Sequence, residues 1–384
     1  MTGTEINFDV AIVGGGLAGL SLSIQLRDAG FSVVLLEKEV YPFHKVCGEY
    51  ISMESWSFLE NLGIPLSDMH LPLINNLVVT APNGKKITAP LTLGGFGISR
   101  YTLDHQLSVL AKEKGVKVLE GAKVVQTEKI TDKFNVHFSV GNEKKMITSR
   151  LCCASFGKRS NLDVKWKRSF LNSRQKGLQN YVGVKYHVYY NGDEQTIALH
   201  NFKNGYCGIS KIEDNKYCLC YLTTSADLKN CNNSIYNLEQ NVLQQNPYLK
   251  ELFKNIRKIE GFPVTISQIN FNKKNLVEND ILMIGDAAGM IAPLCGNGMS
   301  MALHAAKIAA TLIKDHFDGK IDFLEFKNQY QKKWRKEFEN RMKTGRMIQR
   351  FFGGIFTTNI FISFLRLFPG ITSLIIKKTH GSPF

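Results

Sequence analysis

The sequence lacks a CxxC pair, although it contains eight cysteines. Cys152 and Cys153 are adjacent, and Cys218 and Cys220 alternate, which matches neither a zinc module nor a disulfide framework. We therefore expect no metal site and a reduced, cytoplasmic protein. The N-terminus also has no basic segment followed by a small-residue cleavage site, so we expect no secretory signal.

No apolar run is long enough to cross a bilayer as one helix. The longest uncharged apolar stretch covers residues 351–365, whereas a spanning helix needs about 20 apolar residues. Residues 327–350, just before it, contain nine Lys or Arg and two Glu. A basic amphipathic helix followed by an apolar segment predicts peripheral membrane contact. The alternative is a helix packed on the domains with a solvated basic face.

The net charge of +15 favours an anionic partner, such as a phosphorylated cofactor or substrate, or a membrane surface. No nucleic-acid-binding module is recognisable and the charge is spread along the chain, so we expect no nucleic acid partner. With 384 residues, the chain exceeds one core of ordinary size and predicts two packed domains.

A glycine motif lies between two predicted buried strands near the N-terminus. Gly14, Gly16 and Gly19 form GxGxxG between the strand "FDVAIV" and the helix "LSLSIQLRDAG", and the strand "SVVLLEK" follows. The glycines would permit, in turn, a tight turn, close approach of a pyrophosphate and close helix–strand packing. Glu37 ends the second strand, where a carboxylate accepts hydrogen bonds from a ribose. This pattern predicts a dinucleotide site.

A second glycine-rich segment, "ILMIGDAAGMIAPLCGNGMSMALHAAK", begins with a predicted buried strand. Gly285 and Asp286 end that strand, and the carboxylate could accept hydrogen bonds from a ribityl or ribose hydroxyl. Gly296 and Gly298 open the following helix, whose free backbone N–H groups would face the edge of a flavin ring. Taken alone, the segment fits a strand–turn–helix with a capping aspartate equally well.

Together, "GGGLAG" and "GDAAG…PLCGNGMSMAL" resemble the first and last FAD fingerprints of the para-hydroxybenzoate-hydroxylase-type flavoproteins. That superfamily includes aromatic monooxygenases, flavin halogenases and geranylgeranyl reductases. "SRYTLDHQL" resembles its R-x-x-L-D-x-x-L helix start, which implies that Arg100 lies near the FAD pyrophosphate. The cofactor-binding set predicted in this way is Gly14, Gly16, Ala18, Gly19, Glu37, Lys38, Arg100, Gly285, Asp286, Gly296, Gly298 and Met299.

The middle motif departs from the superfamily pattern, in which an Asp-Gly is usual. Here "ASFGKRS" has Phe156 in place of the aspartate before Gly157. This difference weakens a nicotinamide-handling role for the segment, and it leaves Lys158 and Arg159 as candidate phosphate contacts.

The resemblance implies an α/β fold in which a Rossmann-type FAD-binding domain is interleaved with an antiparallel β-sheet substrate domain and followed by a helical C-terminal segment. Alternating patterns dominate from about residue 175 to about residue 270, which supports the second sheet. The predicted ranges are 1–75, 99–170 and 273–325 for the FAD-binding domain, 76–98 and 171–272 for the substrate domain, and 326–384 for the C-terminal segment.

"YPFHKVCGEYIS" resembles the geranylgeranyl-reductase branch, which has a cysteine–glycine pair after the second strand, close to the flavin. The resemblance implies that Cys47 faces the flavin, as a proton donor or as part of the pocket lining. A thiolate would need a pKa lowered by neighbours such as Lys45 and His44. The alternative for Cys47 is a buried apolar filler. Glu49 is either an acid–base group or a side chain that orders the loop.

The implied enzyme uses NAD(P)H to reduce FAD, and the reduced flavin transfers hydride to a carbon–carbon double bond of an apolar prenyl or polyene substrate. One alternative is a monooxygenase that hydroxylates an aromatic or polyene substrate. Another is a non-catalytic FAD-binding protein. Halogenation is disfavoured because the sequence has no W-x-W-x-I-P run.

Overall fold

The computed structural model of the protein describes residues 7–172, 180–269 and 271–384. The predicted domain ranges also include residues 1–6, 173–179 and 270, which lie outside the described residues, and the domain boundaries stay a prediction.

The strands are β1 (Asn7–Val13), β2 (Val33–Leu36), β3 (Tyr50–Ser52), β4 (Leu73–Thr80), β5 (Lys86–Gly97), β6 (Lys117–Leu119), β7 (Ala122–Ile130), β8 (Lys133–Val140), β9 (Glu143–Ala154), β10 (Tyr181–Tyr189), β11 (Thr196–Phe202), β12 (Gly205–Lys211), β13 (Tyr217–Thr224), β14 (Arg257–Lys258), β15 (Val264–Ile269), β16 (Val277–Glu278) and β17 (Ile281–Met283). The helices are α1 (Leu17–Asp28), α2 (Trp56–Leu62), α3 (Arg100–Glu113), α4 (Asn161–Lys165), α5 (Ser169–Asn172), α6 (Ser225–Asn230), α7 (Ile235–Asn241), α8 (Pro247–Asn255), α9 (Gly298–Phe317), α10 (Phe323–Phe351), α11 (Ile355–Leu367) and α12 (Pro369–Thr379).

The first sheet has a parallel centre in the order β17–β9–β1–β2–β6. Val10 of β1 pairs with Val33 of β2 on one side and with Leu151 of β9 on the other. All of β2 and the last four residues of β1 are buried, as expected for parallel strands covered by helices. The hairpin of β7 and β8 extends this sheet beside β9.

The second sheet follows the order β14–β10–β13–β12–β11–β4–β5–β3, with β15 beside β10. Its pairings are antiparallel, except that β11 runs parallel to β4. The hairpin predicted at Asn83–Gly84 is present, because Thr80 pairs with Lys86 and Gly84 has a φ of +84°. The predicted fold class is therefore confirmed.

The second sheet that the alternating pattern predicted is present. Three helices, α6 to α8, lie between its strands from residue 225 to residue 255, and a side-chain cap starts each of them. Thr224, Ser234 and Asn246 each accept a hydrogen bond from a backbone N–H two or three residues further along.

The C-terminal helices pack on the rest of the molecule. The apolar side of α10 is buried, with Phe326, Tyr330, Trp334, Phe338 and Met342 spaced three or four residues apart. The side of α10 that faces solvent carries the basic residues, so it matches the packed-helix alternative from the sequence. α11 and α12 follow and pack on β5.

Within the described ranges, no single helix has the length and apolar character needed to span a membrane. Together, α11 and α12 meet the length and composition of a span, but their axes are bent by 107° at the junction.

Candidate active site

The three glycines of the N-terminal motif have different surroundings. Gly14 turns the chain after β1 with a φ of +105°, and an added Cβ would clash with the backbone that follows β9. A Cβ on Gly19 would lie 2.0 Å from the Gly14 carbonyl oxygen, so α1 approaches the turn too closely for any side chain. A Cβ on Gly16 would instead lie 3.6 Å from Arg100 and 3.9 Å from Lys45. The open side of Gly16, at the start of α1, therefore faces two cations.

Arg100 and Lys45 converge on the buried carboxylate of Asp104. Arg100 donates to both Asp104 oxygens, at 2.7 Å and 2.8 Å, and Lys45 Nζ donates to one of them at 2.9 Å. Burial opposes ionisation, but Arg100 and Lys45 hold the pKa of Asp104 below its usual range. Two cations against one carboxylate leave positive charge beside the N-terminus of α1. These residues fit a pyrophosphate on the open side of Gly16.

Glu37 is buried after β2 and binds the glycine turn directly. Its carboxylate accepts from the Gly15 N–H at 2.7 Å and from the Glu39 N–H at 3.1 Å. Tyr41 donates to the Gly15 carbonyl at 2.5 Å. Glu37 thus lies at the carboxyl end of a central strand, where a ribose contact is made in folds of this kind. Lys38 does not join the site, because its side chain is 67% exposed and pairs with Glu39.

The second glycine-rich segment packs directly against the first. Gly285 follows β17 with a φ of +63°, and an added Cβ would lie 3.2 Å from the Ala18 Cβ. Burial raises the pKa of Asp286, although Lys274 and Arg100 oppose the rise. Lys274 Nζ also donates to the Asp286 carbonyl at 2.8 Å. The Asp286 carboxyl group therefore shares its electrostatic surroundings with the cations beside α1.

The loop before α9 meets the loop that carries Cys47. Gly296 has a φ of +68°, and an added Cβ would lie 3.1 Å from the ring of Tyr50. Gly298 is the first residue of α9, and the sulfur of Met299 lies 3.6 Å from the sulfur of Cys47. The fold thereby brings together predicted site residues that are 252 positions apart.

Glu49 carries a fully buried carboxylate with three protein donors. It accepts from Lys185 Nζ at 2.5 Å, from His187 Nε2 at 2.6 Å and from the Arg100 backbone N–H at 2.8 Å. Burial favours the neutral acid, but Lys185 and His187 outweigh burial and lower the pKa of Glu49. The residue also has a φ of +56°, a conformation that costs energy without glycine. We infer that Glu49 positions the loop rather than exchanging protons with a substrate.

Cys47 is held as a thiol in this anchored loop. Lys185 Nζ donates to the Lys45 carbonyl at 3.1 Å, and Cys218 Sγ donates to the Cys47 carbonyl at 3.2 Å. Burial raises the pKa of the Cys47 thiol. Burial also lowers the pKa of His44 to about 4, so this imidazole is neutral and does not stabilise a thiolate.

Glu49, His187 and Cys218 form a geometric candidate for a cation site in the described part of the chain. Their ligand atoms all lie within 4.8 Å of one another. Lys185 Nζ already lies 2.5 Å from the carboxylate, and its charge would repel a metal ion. We therefore propose no metal there.

Lys158 and Arg159 do not face the open side of Gly16. They donate to the Ser267 carbonyl and to the side chain of Gln268, both in β15. Phe156 packs near Trp166. The middle segment thus joins the glycine turn, where Ser155 donates to the Gly14 carbonyl at 2.6 Å, to the second sheet, and the charge of Lys158 acts on Asp286.

An apolar cavity, partly open to solvent, lies beside the loop before α9. One wall comes from β4, β5 and β11, and the opposite wall comes from the C-terminal helices. No Lys, Arg, Asp or Glu lines it in the part of the chain that the structure describes. Cys295 and Tyr50 line the cavity, whereas Cys47 does not. The apolar lining side chains include Leu77, Val79, Ile87, Leu91, Ile197, Leu199, Ile348, Phe352, Phe361, Leu365, Ile375 and Ile376.

Sequence reasoning missed the partners of Glu49 and the C-terminal wall of the cavity. Lys185 and His187 stand two apart in "YVGVKYHVYY", so they lie on the same face of β10. Seven consecutive residues of that strand are buried. Two basic side chains on one face of a buried strand are a readable signal that a buried carboxylate lies opposite.

Comparison with known proteins gives one family and several relatives. A family model described as "FAD binding domain" matches residues 7–322. The digeranylgeranylglycerophospholipid reductase of Methanococcus vannielii is 26% identical over 346 residues, which cover 88% of this chain and 84% of that protein. The sequence resemblance to the FAD-dependent superfamily is thereby confirmed.

Two solved structures share the fold. The flavin-dependent brominase Bmp2 has a TM-score of 0.77 at 18% identity and covers 97% of this chain and 93% of its own. A geranylgeranyl bacteriochlorophyll reductase-like protein from Thermoplasma acidophilum has a TM-score of 0.74 at 17% identity, covering 94% and 91%. At these identities the likeness concerns the fold alone.

We expect Gly16→Ala to weaken flavin binding while the protein stays folded. The new methyl group makes only ordinary contacts with protein atoms, but it occupies the space assigned to the pyrophosphate. Equilibrium titration should show FAD affinity reduced by about 10-fold or more. Gly19→Ala is the matched control for a backbone clash and should lower the melting temperature of the apoprotein. Wild-type FAD affinity in Gly16→Ala would contradict the assignment.

We expect Glu49→Gln to destabilise the protein by about 3–5 kcal/mol, because it leaves the buried Lys185 ammonium without its counter-charge. Thermal unfolding measures the change. The double variant Glu49→Gln/Lys185→Met should be more stable than Glu49→Gln alone, since it removes the unpaired charge. A double variant less stable than the single one would contradict the ion-pair interpretation.

Low pH should destabilise the protein by protonating the buried carboxylates of Glu49 and Asp104. The pKa values of Glu49 and Asp104 are lowered in the folded protein. Their contribution to stability is therefore complete above the unfolded pKa of about 4 and is lost as the pH falls below it. The melting temperature should fall as the pH is lowered below about 4, and it should fall less steeply with pH in Glu49→Gln. Parallel curves would mean that Glu49 does not contribute.

Proposed function

The chain belongs to the FAD binding domain family and is an FAD-dependent oxidoreductase. On this premise we propose that it transfers hydride from NAD(P)H-reduced FAD to a carbon–carbon double bond of an apolar prenyl or polyene substrate. The observation that carries the proposal is the apolar cavity beside the loop before α9. A hydrocarbon substrate needs such a lining, because burial of apolar surface is its main source of binding energy. The Methanococcus relative, named as a reductase of a digeranylgeranyl lipid, supports the same reaction class.

The residues divide into a cofactor set and a substrate set. Bound FAD would supply the redox chemistry. We assign its pyrophosphate to the open side of Gly16, with Arg100 and Lys45 as counter-charges, and its ribose to Glu37. Asp286 and the residues at the start of α9 complete the cofactor set. The apolar cavity holds the substrate and excludes water.

Reduction of a double bond adds a hydride to one carbon and a proton to the other. We assign the proton to the Cys47 thiol, which burial keeps protonated. Because Cys47 does not line the cavity, the reacting double bond would have to extend out of the cavity, past the loop before α9, to the thiol beside Met299. Cys218 Sγ donates to the Cys47 carbonyl at 3.2 Å, so the loop holds the backbone of Cys47 in place.

The test is an anaerobic turnover assay with FAD-loaded protein, NADPH and a polyprenyl substrate, followed by mass spectrometry of the extracted product. We expect a gain of two hydrogen atoms for each reduced double bond. Cys47→Ala should slow product formation by about 100-fold while NADPH still reduces the flavin. Cys231→Ala, remote from the site, is the matched control.

Two outcomes would replace the proposal. A product that gains an oxygen atom, and forms only when oxygen is present, would indicate a monooxygenase. A bound flavin that neither nicotinamide nucleotide reduces would indicate a non-catalytic FAD-binding protein.

We also propose peripheral membrane contact through α11 and α12 rather than through α10, whose apolar side is buried. α11 and α12 are apolar on two sides. Ile362 and Leu365 are buried on the inner side, whereas large apolar side chains face solvent on the outer side. The exposed ones are Ile355, Phe356, Ile360, Phe364, Leu367, Phe368 and Leu374.

Charge selects an anionic bilayer as the partner of this surface. Residues 340–384 contain no Asp or Glu. Apart from Arg341, which pairs with the buried carboxylate of Glu54, their Lys and Arg residues are Lys343, Arg346, Arg350, Arg366, Lys377 and Lys378. Basic residues around an apolar helix face favour anionic lipid headgroups, while a second copy of a chain with a net charge of +15 would be repelled. Contact here would set one wall of the substrate cavity against a source of apolar substrates.

We expect the double variant Phe356→Ser/Leu367→Ser to lose binding to vesicles of phosphatidylglycerol and phosphatidylcholine. Both side chains are 75% exposed, so their loss should leave the fold intact. Cosedimentation should weaken by about 10-fold or more. Tyr236→Ser removes another exposed side chain, 69% exposed, and should bind like the wild type. Equal binding by the double variant would rule out this surface.

A further inference from the structure

The apolar cavity carries unpartnered polar atoms on its wall. The hydroxyl of Tyr50 and Nε2 of His380 are buried and have no hydrogen-bond partner among the described residues, and both residues line the cavity. Thr372 Oγ1, near the start of α12, is a third such atom. Folded proteins satisfy nearly all buried polar groups. Several unsatisfied ones on one cavity wall point to a ligand that supplies the missing bonds.

Tyr50 is fixed by glycines at two edges of its ring. An added Cβ on Gly95 would lie 2.3 Å from the ring, and one on Gly296 would lie 3.1 Å from it. Tyr50 is only 4% exposed, and β3 pairs it with Gly97. Because the ring has so little room to move, the fold sets the position of the hydroxyl.

His380 presents an acceptor to the same cavity, next to Ile376, which packs in the apolar cluster that contains Tyr50. Its Nδ1 lies 3.0 Å from the Ile376 carbonyl. A carbonyl only accepts, so Nδ1 donates and Nε2 is left as an acceptor. The adjacent Thr379 carbonyl accepts from the Asn297 side chain, which ties the end of α12 to the loop beside Tyr50.

We propose that Tyr50 and His380 bind an uncharged hydroxyl group, so that the substrate is a long-chain alcohol or phenol whose hydrocarbon part fills the rest of the cavity. The hydroxyl would donate to His380 Nε2 and accept from the Tyr50 hydroxyl, which satisfies both atoms. A phosphate or carboxylate head is disfavoured, because no cation lines the cavity within the described ranges and a buried charge needs one. This inference rests on the proposed function for the reaction, but it concerns binding alone.

The test compares matched ligands on the oxidised, FAD-loaded protein by isothermal titration calorimetry, without turnover. The ligands are geranylgeraniol, its methyl ether, its diphosphate, and a pentadecylphenol with its methyl ether. We expect at least one hydroxyl compound to bind about 10-fold more tightly than its ether, and geranylgeraniol to bind more tightly than its diphosphate.

Variants separate the hydroxyl contact from general packing. Tyr50→Phe keeps the ring between its glycine neighbours and removes only the oxygen. It should abolish most of the preference for the hydroxyl compound and change ether binding by no more than about twofold. Tyr236→Phe, on an exposed tyrosine, is the matched control and should keep the preference.

Three results would overturn the inference. They are equal binding of hydroxyl compound and ether in both pairs, tighter binding of the diphosphate than of the alcohol, and an unchanged preference in Tyr50→Phe. A clear hydroxyl preference without any reduced product in the turnover assay would refute the hydride-transfer proposal and leave the hydroxyl site standing.

Discussion

The buried carboxylate of Glu49 is the interaction on which the site depends. A charge without solvent is stable only with an opposite charge and hydrogen bonds around it. Glu49 obtains both from the second sheet, through Lys185 and His187, and gains a third bond from the Arg100 N–H at the start of α3. The Cys47 loop, the cations beside α1 and the face of β10 are therefore positioned together. Displacement of β10 would leave the buried charge of Glu49 unpaired, and displacement of α3 would remove one of its hydrogen bonds.

The C-terminal segment is built into the site as firmly as the central strands. Arg341 pairs with the buried carboxylate of Glu54, and Gly381 lies so close to both side chains that it has no room for a Cβ. Phe384 stacks on His304 of α9 with ring centroids 4.2 Å apart. These contacts hold α12 against the loop before α9. The apolar helices α11 and α12 thus form one wall of the cavity, although composition alone suggests a peripheral tail. Their outer side stays exposed and can contact another surface.

Much of the fold could be predicted, including the glycine turns of the candidate cofactor site, because their signals are local. The strand, glycine turn and helix around Gly16 lie within one short stretch, and so does the Gly285–Asp286 turn. The Glu49 cluster could not be predicted in the same way, because Glu49 and Lys185 are 136 residues apart. The sequence also does not show whether a glutamate is buried or exposed to solvent. For residues 327–350, the sequence showed an amphipathic helix but not which surface covers its apolar side.

The distribution of charge divides the site between two kinds of ligand. Arg100 and Lys45 gather beside Gly16, where Asp104 holds them. The apolar cavity beside the loop before α9 has no charged group among the described residues that line it. Each region therefore favours a ligand that the other would exclude, because a diphosphate needs the cations and a hydrocarbon needs their absence. The net charge of +15 agrees with FAD as an anionic partner on the cofactor side and favours the anionic bilayer that we propose for the outer surface. The net charge gives no information about the proposed substrate, which would bind in a cavity that no charged residue lines within the described ranges.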